Sequence, residues 1–325
     1  MSAFTQANQT SQASISVSPT CDLCHSAEIG FVLTTNRLDG PLVRCLNCGL
    51  YFVIKPQAEA RDDQVQSDEL SESQQASTEM QRLAVRAREL ELVEPDVEES
   101  EGYWRKLTAQ DRLNDLLRMI GVKQAQSIHE KRLLEIGCST GDFLSIAQKT
   151  FTVSGVEADA ASCAISRSRG IECFNGTLSD AKFPSEKFDV IVLYHVIEHL
   201  PSPTQTLQEI QRILKPGGWL VIEAPNINNI WFRLLGARWR QFIPDHLFFF
   251  DPQTIKLACE QSGLHIRENG SVGKAMSLRL FISRVGRYNR AFSRTLMAVS
   301  NHLGLSERTV HLNLGDVMRV YATKQ

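Results

Sequence analysis

The chain has 325 residues, of which 42% are hydrophobic and 22% are charged, as in an ordinary globular protein. Its 35 Lys and Arg residues are balanced by 37 Asp and Glu residues, so the net charge of -2 gives no general attraction to nucleic acid or to an anionic membrane. The N-terminus has no basic region or apolar run typical of a signal peptide, and no apolar stretch is long enough to span a bilayer, so we expect a cytoplasmic protein with reduced cysteines.

Two cysteine pairs follow a Ser-, Thr- and Gln-rich tail over residues 1–19 that we expect to be disordered. The pairs Cys21-x2-Cys24 and Cys45-x2-Cys48 are separated by 20 residues that contain short β-type runs. This spacing predicts a zinc-binding module over residues 20–56. Four thiolates leave no open position on the ion, so we expect the zinc to be structural and to supply folding free energy to a small module.

The next segments contain little that could form a large core. Residues 57–79 are acidic and polar and are expected to form a linker. Residues 80–131 are expected to form a helical lead-in. It consists of one helix from about Met80 to Glu94 and another from about Tyr103 to Ile120, because apolar residues recur there at helical spacing.

From residue 132 to residue 325, apolar runs rich in branched residues alternate with helical segments. RLLEIG, TVSGVE, FDVIVLYHV and WLVIEAP are predicted strands, and DVMRVYATK at the C-terminus is predicted to be an edge strand. Strands that are apolar on both faces and separated by helices indicate an α/β fold with a doubly wound, mostly parallel sheet.

The first of these strands runs into a glycine-containing turn, Glu135 to Gly141. In doubly wound sheets such turns lie where ligands bind, and Glu157 closes the second strand 20 residues after Gly137, where a carboxylate can accept ribose hydroxyls. The turn lacks the G-x-G-x-x-G pattern of dinucleotide-binding proteins, because Ser139 and Asp142 occupy two of the glycine positions. A purely structural turn is the alternative at this stage.

Several further segments stand in order behind the turn, among them FDVIVLYHVIEHL and LKPGGWLVIEAP. Together they resemble class I S-adenosylmethionine-dependent methyltransferases. The resemblance implies a Rossmann-like sheet of seven strands and S-adenosyl-L-methionine as cofactor. It implies that the cofactor is bound by residues of the turn and of the strands beside it, namely Glu135, Gly137, Cys138, Gly141, Glu157, Leu178 and His195.

More narrowly, the chain resembles a bacterial subgroup in which a four-cysteine zinc module precedes the methyltransferase domain. That subgroup, which includes sugar methyltransferases, also has an E-H-L motif after the fourth strand and a W…P-x-H-x-x-x-F segment, here Trp239 to Phe250.

Two histidines are candidates for acceptor chemistry. His195 is predicted at the carboxyl end of the fourth strand, and His246 in the loop after the fifth. A neutral imidazole can take a proton from an acceptor hydroxyl, so either could be a catalytic base. The alternatives are that His195 packs near the methionine moiety and that His199, with Glu198, holds the loop.

Residues 274–308 contain seven Lys or Arg residues against one acid, with apolar residues at helical spacing. They are predicted to form a basic amphipathic helix inserted in the methyltransferase domain. Such a helix could be a lid, a packed surface helix or a peripheral contact with a membrane.

The sequence therefore predicts a methyltransferase for a small molecule or saccharide, including a lipid- or nucleotide-linked one. An RNA-modifying enzyme and a non-catalytic cofactor-binding protein are the alternatives. Nucleic acid is not favoured as a partner, because residues 20–56 contain few basic side chains. The acceptor, the methylated atom and the oligomeric state stay open.

Overall fold

The structure is a computed structural model that describes residues 19–55, 96–122, 128–286, 289–306 and 308–325. The predicted disordered tail up to residue 18, the acidic linker and the helix from Met80 to Glu94 lie outside these residues. The second lead-in helix is confirmed as α1, Asp96–Met119, which begins earlier than predicted.

A seven-stranded, mostly parallel sheet forms the centre of the fold and confirms the predicted α/β class. Its strands are β4 (Arg132–Ile136), β5 (Thr152–Glu157), β6 (Glu172–Asn175), β7 (Phe188–Tyr194), β8 (Leu214–Pro225), β10 (Leu264–Ser271) and β13 (Val317–Lys324). Their order is β10-β13-β8-β7-β4-β5-β6. The direction of strand addition reverses between β4 and β7, so a crevice is expected at the carboxyl ends of these two strands.

The C-terminal strand differs from the prediction. β13 is not an edge strand, because it pairs antiparallel with β8 on one side and with β10 on the other. Every residue from Val317 to Thr323 is buried. Its alternating pattern conceals this position, because Arg319 and Thr323 are polar. Arg319 pairs with the buried Glu223 of β8, and Thr323 accepts a hydrogen bond from Arg267 of β10.

Helices cover both faces of the sheet. They are α2 (Asp142–Ala147), α3 (Ala160–Ser168), α4 (Pro203–Ile213) and α6 (Pro252–Gln261), whereas the short α5 (Ile230–Leu235) after β8 has no buried residue. Leu133 and Leu134 of β4 are both fully buried but belong to different hydrophobic clusters, one on each face. Because successive side chains of a strand point to opposite faces, this burial requires helices on both sides.

The cysteine-containing segment is a small antiparallel sheet that packs on the main domain. Its strands β1 (Ile29–Leu33), β2 (Leu42–Cys45) and β3 (Tyr51–Val53) are joined by β9 (Phe248–Phe249), which comes from the region after β8. Several of its buried residues, among them Val43 and Phe52, lie in the same hydrophobic cluster as residues of the central sheet. The side chain of Asp22 also accepts hydrogen bonds from Ser202 and from the backbone N–H of Thr204 at the start of α4.

The basic segment 274–308 is not one helix. It contains two helices, α7 (Leu278–Val285) and α8 (Arg290–His302), which lie between the two strands of an antiparallel pair, β11 (Lys274–Ser277) and β12 (Thr309–Leu312). The helical spacing of its apolar residues is compatible with two short helices, so it does not reveal the break between them. None of the helices in the described ranges combines the length and apolar character that crossing a bilayer requires.

Candidate active site

The turn after β4 has the backbone conformation that its glycines predict. Gly137 has a φ of 69°, and Ser139 and Gly141 also have positive φ values of 47° and 78°. A Cβ atom on Gly137 would lie 2.5 Å from Cγ2 of Val196, which follows β7. Gly137 is therefore required because the turns after β4 and β7 touch at the crevice between the two strands.

Gly141 packs closely against the protein. A Cβ atom there would lie 2.6 Å from Ile171 Cδ1 and 2.7 Å from Ser166 Oγ, both parts of the protein. Gly141 therefore permits close packing beside α3, and its part in cofactor binding stays a prediction.

Glu157 connects the turn to the end of β5. Its Oε2 accepts a hydrogen bond from the Ser139 N–H at 2.7 Å, and its Oε1 accepts one from the Asp159 N–H at 2.9 Å. A carboxylate oxygen can accept more than one hydrogen bond, so both oxygens keep acceptor capacity for vicinal hydroxyl groups of a ribose. The position fits the predicted role of Glu157 in cofactor binding.

Glu135 is a buried acid immediately before the turn. Its side chain is 5% exposed, and its Oε2 has no hydrogen-bond partner. Burial raises the pKa of Glu135 to about 8, although the charge of Arg112 lowers it. An unpartnered carboxylate oxygen at this depth suits the ammonium group of a methionine moiety, and this supports the fit of the turn to S-adenosylmethionine.

Cys138 and Leu178 are both buried. The Cys138 thiol lies 3.6 Å from the Cys173 thiol in the core behind the turn, and the Cys138 N–H donates to the carbonyl of Val156. Its side chain and N–H are thus both directed toward the protein, and neither supports the predicted contact with the cofactor. Leu178 follows β6 and belongs to the same hydrophobic cluster as Val156 of β5, and its contact with the cofactor stays a prediction.

His195 directly follows β7 and has a left-handed conformation, with a φ of 59°. Its N–H donates to the carbonyl of Glu223, and its ring lies between two buried carboxylates. The distance from Nδ1 to Glu198 Oε1 is 3.4 Å, and that from Nε2 to Glu223 Oε1 is 3.2 Å. A non-glycine residue with positive φ at the end of a strand is a recurrent feature of functional sites.

A buried ionic network behind His195 was not predicted. Glu223 of β8 is 1% exposed and binds Arg112 of α1 at 2.6 Å and Arg319 of β13 at 2.6 Å. Although burial opposes ionisation, Arg112, His195 and Arg319 hold the pKa of Glu223 well below its usual range. The sequence did contain a signal for this network, because Glu223 and Arg319 are charged residues inside the otherwise apolar strands β8 and β13. Buried charges are nearly always paired, so these two residues could have been expected to meet.

His246 lies in the same region as His195, as predicted, but it is 4% exposed. Its Nε2 is 4.0 Å from Glu198 Oε1, and its ring contacts that of His199 at a centroid distance of 4.6 Å. Burial lowers the pKa of His246 to about 4, which makes it a weak base. The loop interpretation of Glu198 and His199 is supported, because the Glu198 carbonyl accepts from Leu247 N–H and His199 Nδ1 bonds the Asp245 carbonyl.

The four cysteines converge as their spacing predicts. The thiol sulfurs of Cys21 and Cys48 are 3.5 Å apart, as are those of Cys24 and Cys45, and all four lie within 4.8 Å of one another. Sulfurs around a tetrahedral zinc ion with Zn–S bonds of ~2.3 Å would be about 3.8 Å apart. The residues therefore fit a four-thiolate ion site.

Comparisons with known proteins identify the family of the chain. A family profile described as "Methyltransferase domain" matches residues 103–269, just over half of the chain. The chain is 25% identical over 171 residues to the ubiquinone biosynthesis O-methyltransferase of Hydrogenovibrio crunogenus, covering 48% of this chain and 71% of that protein. It is 26% identical over 186 residues to the protein of the same name from Pseudomonas aeruginosa PAO1, covering 51% of this chain and 79% of that one.

Solved structures give weaker similarities. A SAM-dependent methyltransferase from Archaeoglobus fulgidus is 18% identical with a TM-score of 0.45, over 68% of this chain and 94% of that one. One from Aquifex aeolicus is 12% identical with a TM-score of 0.43, over 67% and 89%.

Proposed function

Because the chain belongs to the family described as "Methyltransferase domain" and is an S-adenosylmethionine-dependent methyltransferase, we propose that it methylates a small-molecule acceptor beside His195. The observation that carries this proposal is the position of His195. It directly follows β7 at the crevice, next to the turn that fits the cofactor, and its ring is held between Glu198 and Glu223.

The bound cofactor supplies a methyl group on a sulfonium sulfur. The chain itself contributes a scaffold that orients the cofactor: the Glu157 carboxylate for the ribose, Glu135 for the ammonium group and the Gly137 turn for the methionine moiety. Positioning of this kind is the main protein contribution to an in-line displacement.

His195 is the proposed acceptor-side base. A neutral imidazole has one N–H and one lone pair. If the Nε2–H donates to Glu223 at 3.2 Å, Nδ1, which lies 3.4 Å from Glu198, is the nitrogen that takes the proton from an acceptor hydroxyl, and the imidazolium then lies beside both carboxylates. His246 is a weaker candidate for this role, because it is more deeply buried and its pKa is lowered to about 4.

A small acceptor is favoured over RNA. The aligned relatives bear the name ubiquinone biosynthesis O-methyltransferase, which denotes chemistry at an oxygen of a small molecule. The cysteine module, residues 20–56, contains only three Lys or Arg residues. These are too few for a surface that binds the phosphates of a nucleic acid. A saccharide or another hydroxylated small molecule is therefore the acceptor class that we test for.

The experiment is a transfer assay with S-adenosylmethionine labelled in its methyl group. Purified protein is incubated with separate pools of phenols and catechols, nucleotide sugars, and RNA, and the Glu157→Ala variant is the matched negative control. We expect label in a small-molecule product. Label in the RNA pool alone, or in none of the pools with a protein that binds the cofactor, would contradict the proposal.

We also propose that the four cysteines hold a structural zinc ion. Their convergence supports this, and so do the two equivalent turns, in which the His25 N–H donates to the Cys21 carbonyl and the Gly49 N–H to that of Cys45. Elemental analysis of the purified protein should return about one zinc per chain.

A further inference from the structure

A second group of metal-ligating side chains lies at the acceptor side of the crevice. Among the described residues, Glu198, His199 and His246 each offer one ligand atom, and these three atoms lie within 4.8 Å of one another. They belong to two segments that meet there: the turn after β7, and the segment that leads into β9. We propose that these three residues bind a divalent transition-metal ion.

The carboxylate of Glu198 is the strongest indication of a ligand. Its side chain is 1% exposed, and neither of its oxygens has a hydrogen-bond partner, although imidazoles lie at 3.4 Å and 4.0 Å. A carboxylate withdrawn from water without hydrogen bonds is costly, and a bound cation would remove this cost.

The tautomer of His199 is set for metal binding. Its Nδ1 lies 3.0 Å from the carbonyl oxygen of Asp245. A carbonyl only accepts hydrogen bonds, so Nδ1 carries the proton and Nε2 presents its lone pair. Histidines that bind metals usually donate their other N–H in this way, which fixes the orientation of the ring.

The composition of the group indicates the class of ion. Two imidazoles and one carboxylate suit Zn²⁺, Mn²⁺ or Fe²⁺. The four thiolates of the cysteine module are softer ligands, which favour zinc over Mn²⁺. Ligand atoms at ~2.1 Å from a shared ion would be about 3–3.5 Å apart, so binding requires these side chains to close by roughly 1 Å. Glu198 and His199 are adjacent in the chain, so one short segment carries two of the three proposed ligands.

The proposed ion site lies beside His195 and close to the cofactor turn. Its role in methyl transfer rests on the proposed function. Gly137 of the cofactor turn contacts Val196, two residues before Glu198, and His195 lies 3.4 Å from the Glu198 carboxylate. Three protein ligands leave positions on the ion that an oxygen of the acceptor can occupy. The proposed acceptor is therefore a molecule with a hydroxyl oxygen, and the ion fixes that oxygen beside His195.

The test measures binding of Mn²⁺ by the full chain with its cysteine site filled with zinc. Electron paramagnetic resonance counts free Mn²⁺, and elemental analysis after zinc reconstitution counts bound zinc. The variants are E198Q and H199Q, with H129Q as control, because His129 is exposed and precedes β4 at the other end of the sheet. Melting temperature and cofactor binding show that each variant is folded.

We expect one Mn²⁺, or one zinc beyond the cysteine site, per chain of the parent and of H129Q. The E198Q and H199Q variants should bind it at least tenfold more weakly. The site is overturned if the parent binds neither ion, or if the folded variants bind as the parent does. Metal binding without transfer to any small hydroxylated acceptor would contradict the proposed function alone. Transfer that is unaffected by chelation and by E198Q would contradict the metal proposal alone.

Discussion

At the scale of single residues, Glu157 has two tasks that a substitution would remove together. It orders the turn through the Ser139 and Asp159 N–H groups and offers acceptors for a ribose. Glu157→Ala should therefore weaken S-adenosylmethionine binding by about 1.5–3 kcal/mol, the scale of hydrogen bonds to charged groups. Calorimetry should detect this loss, and Glu130→Ala, an exposed acid before β4, should leave the affinity unchanged. Equal affinities for the two variants would refute the assignment.

Glu135 predicts a pH dependence of stability. Its pKa rises from the ordinary 4.5 to about 8 in the folded protein because of burial. Between these two pH values the folded state holds a proton that the unfolded state loses. The contribution of Glu135 to the free energy of unfolding is therefore complete below pH 4.5 and is lost as the pH rises through about 8. Glu135→Gln lacks this contribution.

The difference in melting temperature, variant minus parent, should accordingly increase from pH 5 to pH 8 in cofactor-free protein. The difference is the informative quantity, because other groups titrate in both proteins. A difference that is constant with pH would mean that Glu135 is ionised in the folded state.

His195 is the residue for which activity and cofactor binding should separate. His195→Ala should reduce turnover by roughly 10²–10⁴-fold if the imidazole is the base, because that is the usual contribution of a positioned proton acceptor. Cofactor affinity should change little, since its ring faces Glu198 and Glu223. Joint loss of cofactor binding and turnover would instead assign His195 to the cofactor site.

At the scale of secondary-structure elements, α1 is fixed to the sheet by buried charges. Arg112 binds Glu223, and its guanidinium lies 4.1 Å above the ring of Tyr194. Removing one partner of a buried pair costs about 3–5 kcal/mol. Because Glu223 keeps Arg319, we expect Arg112→Met to lower the free energy of unfolding by about 3 kcal/mol.

Chemical denaturation of the variant measures this effect. Arg118→Met is the matched control on the same helix, because its side chain is 60% exposed and its ion pairs are long, at 3.7 Å and 3.8 Å. Exposed pairs contribute between zero and about 1 kcal/mol. If both substitutions cost the same, the buried network does not anchor α1.

The elements also show what the sequence could and could not predict. The parallel strands and the turn from Glu135 to Gly141 follow from runs of branched apolar residues and from glycine positions, which are local signals. The interior place of β13 and the pairing of Phe248–Phe249 with the cysteine module depend on partners distant in the sequence. For the same reason the cluster of His195, Glu198 and Glu223 was only partly predicted, because Glu223 and Arg112 meet only in the folded chain.

At the scale of the whole molecule, the cysteine module and the loop that contains His246 form one structural unit. β3 pairs with β9, and the Val53 N–H donates to the carbonyl of Leu247, the residue after His246. Cys21, Leu23 and Phe52 share a hydrophobic cluster with the central sheet. Loss of the proposed zinc ion should therefore disturb the loop that contains His246.

Hydrogen exchange after zinc removal tests this connection. Apparent binding free energies of structural zinc are about 10–16 kcal/mol, so chelation or Cys48→Ser should abolish the order of β1 to β3. We expect faster exchange in residues 51–53 and, in parallel, in residues 247–250. Residues 188–194 should stay protected, because β7 is hydrogen-bonded to β4 on one side and to β8 on the other. Exchange that increases only in residues 20–56 would show an independent module. Such a result would also mean that the loop that contains His246 stays ordered without the β3–β9 pairing. The proposed zinc ion would then have no influence on that loop.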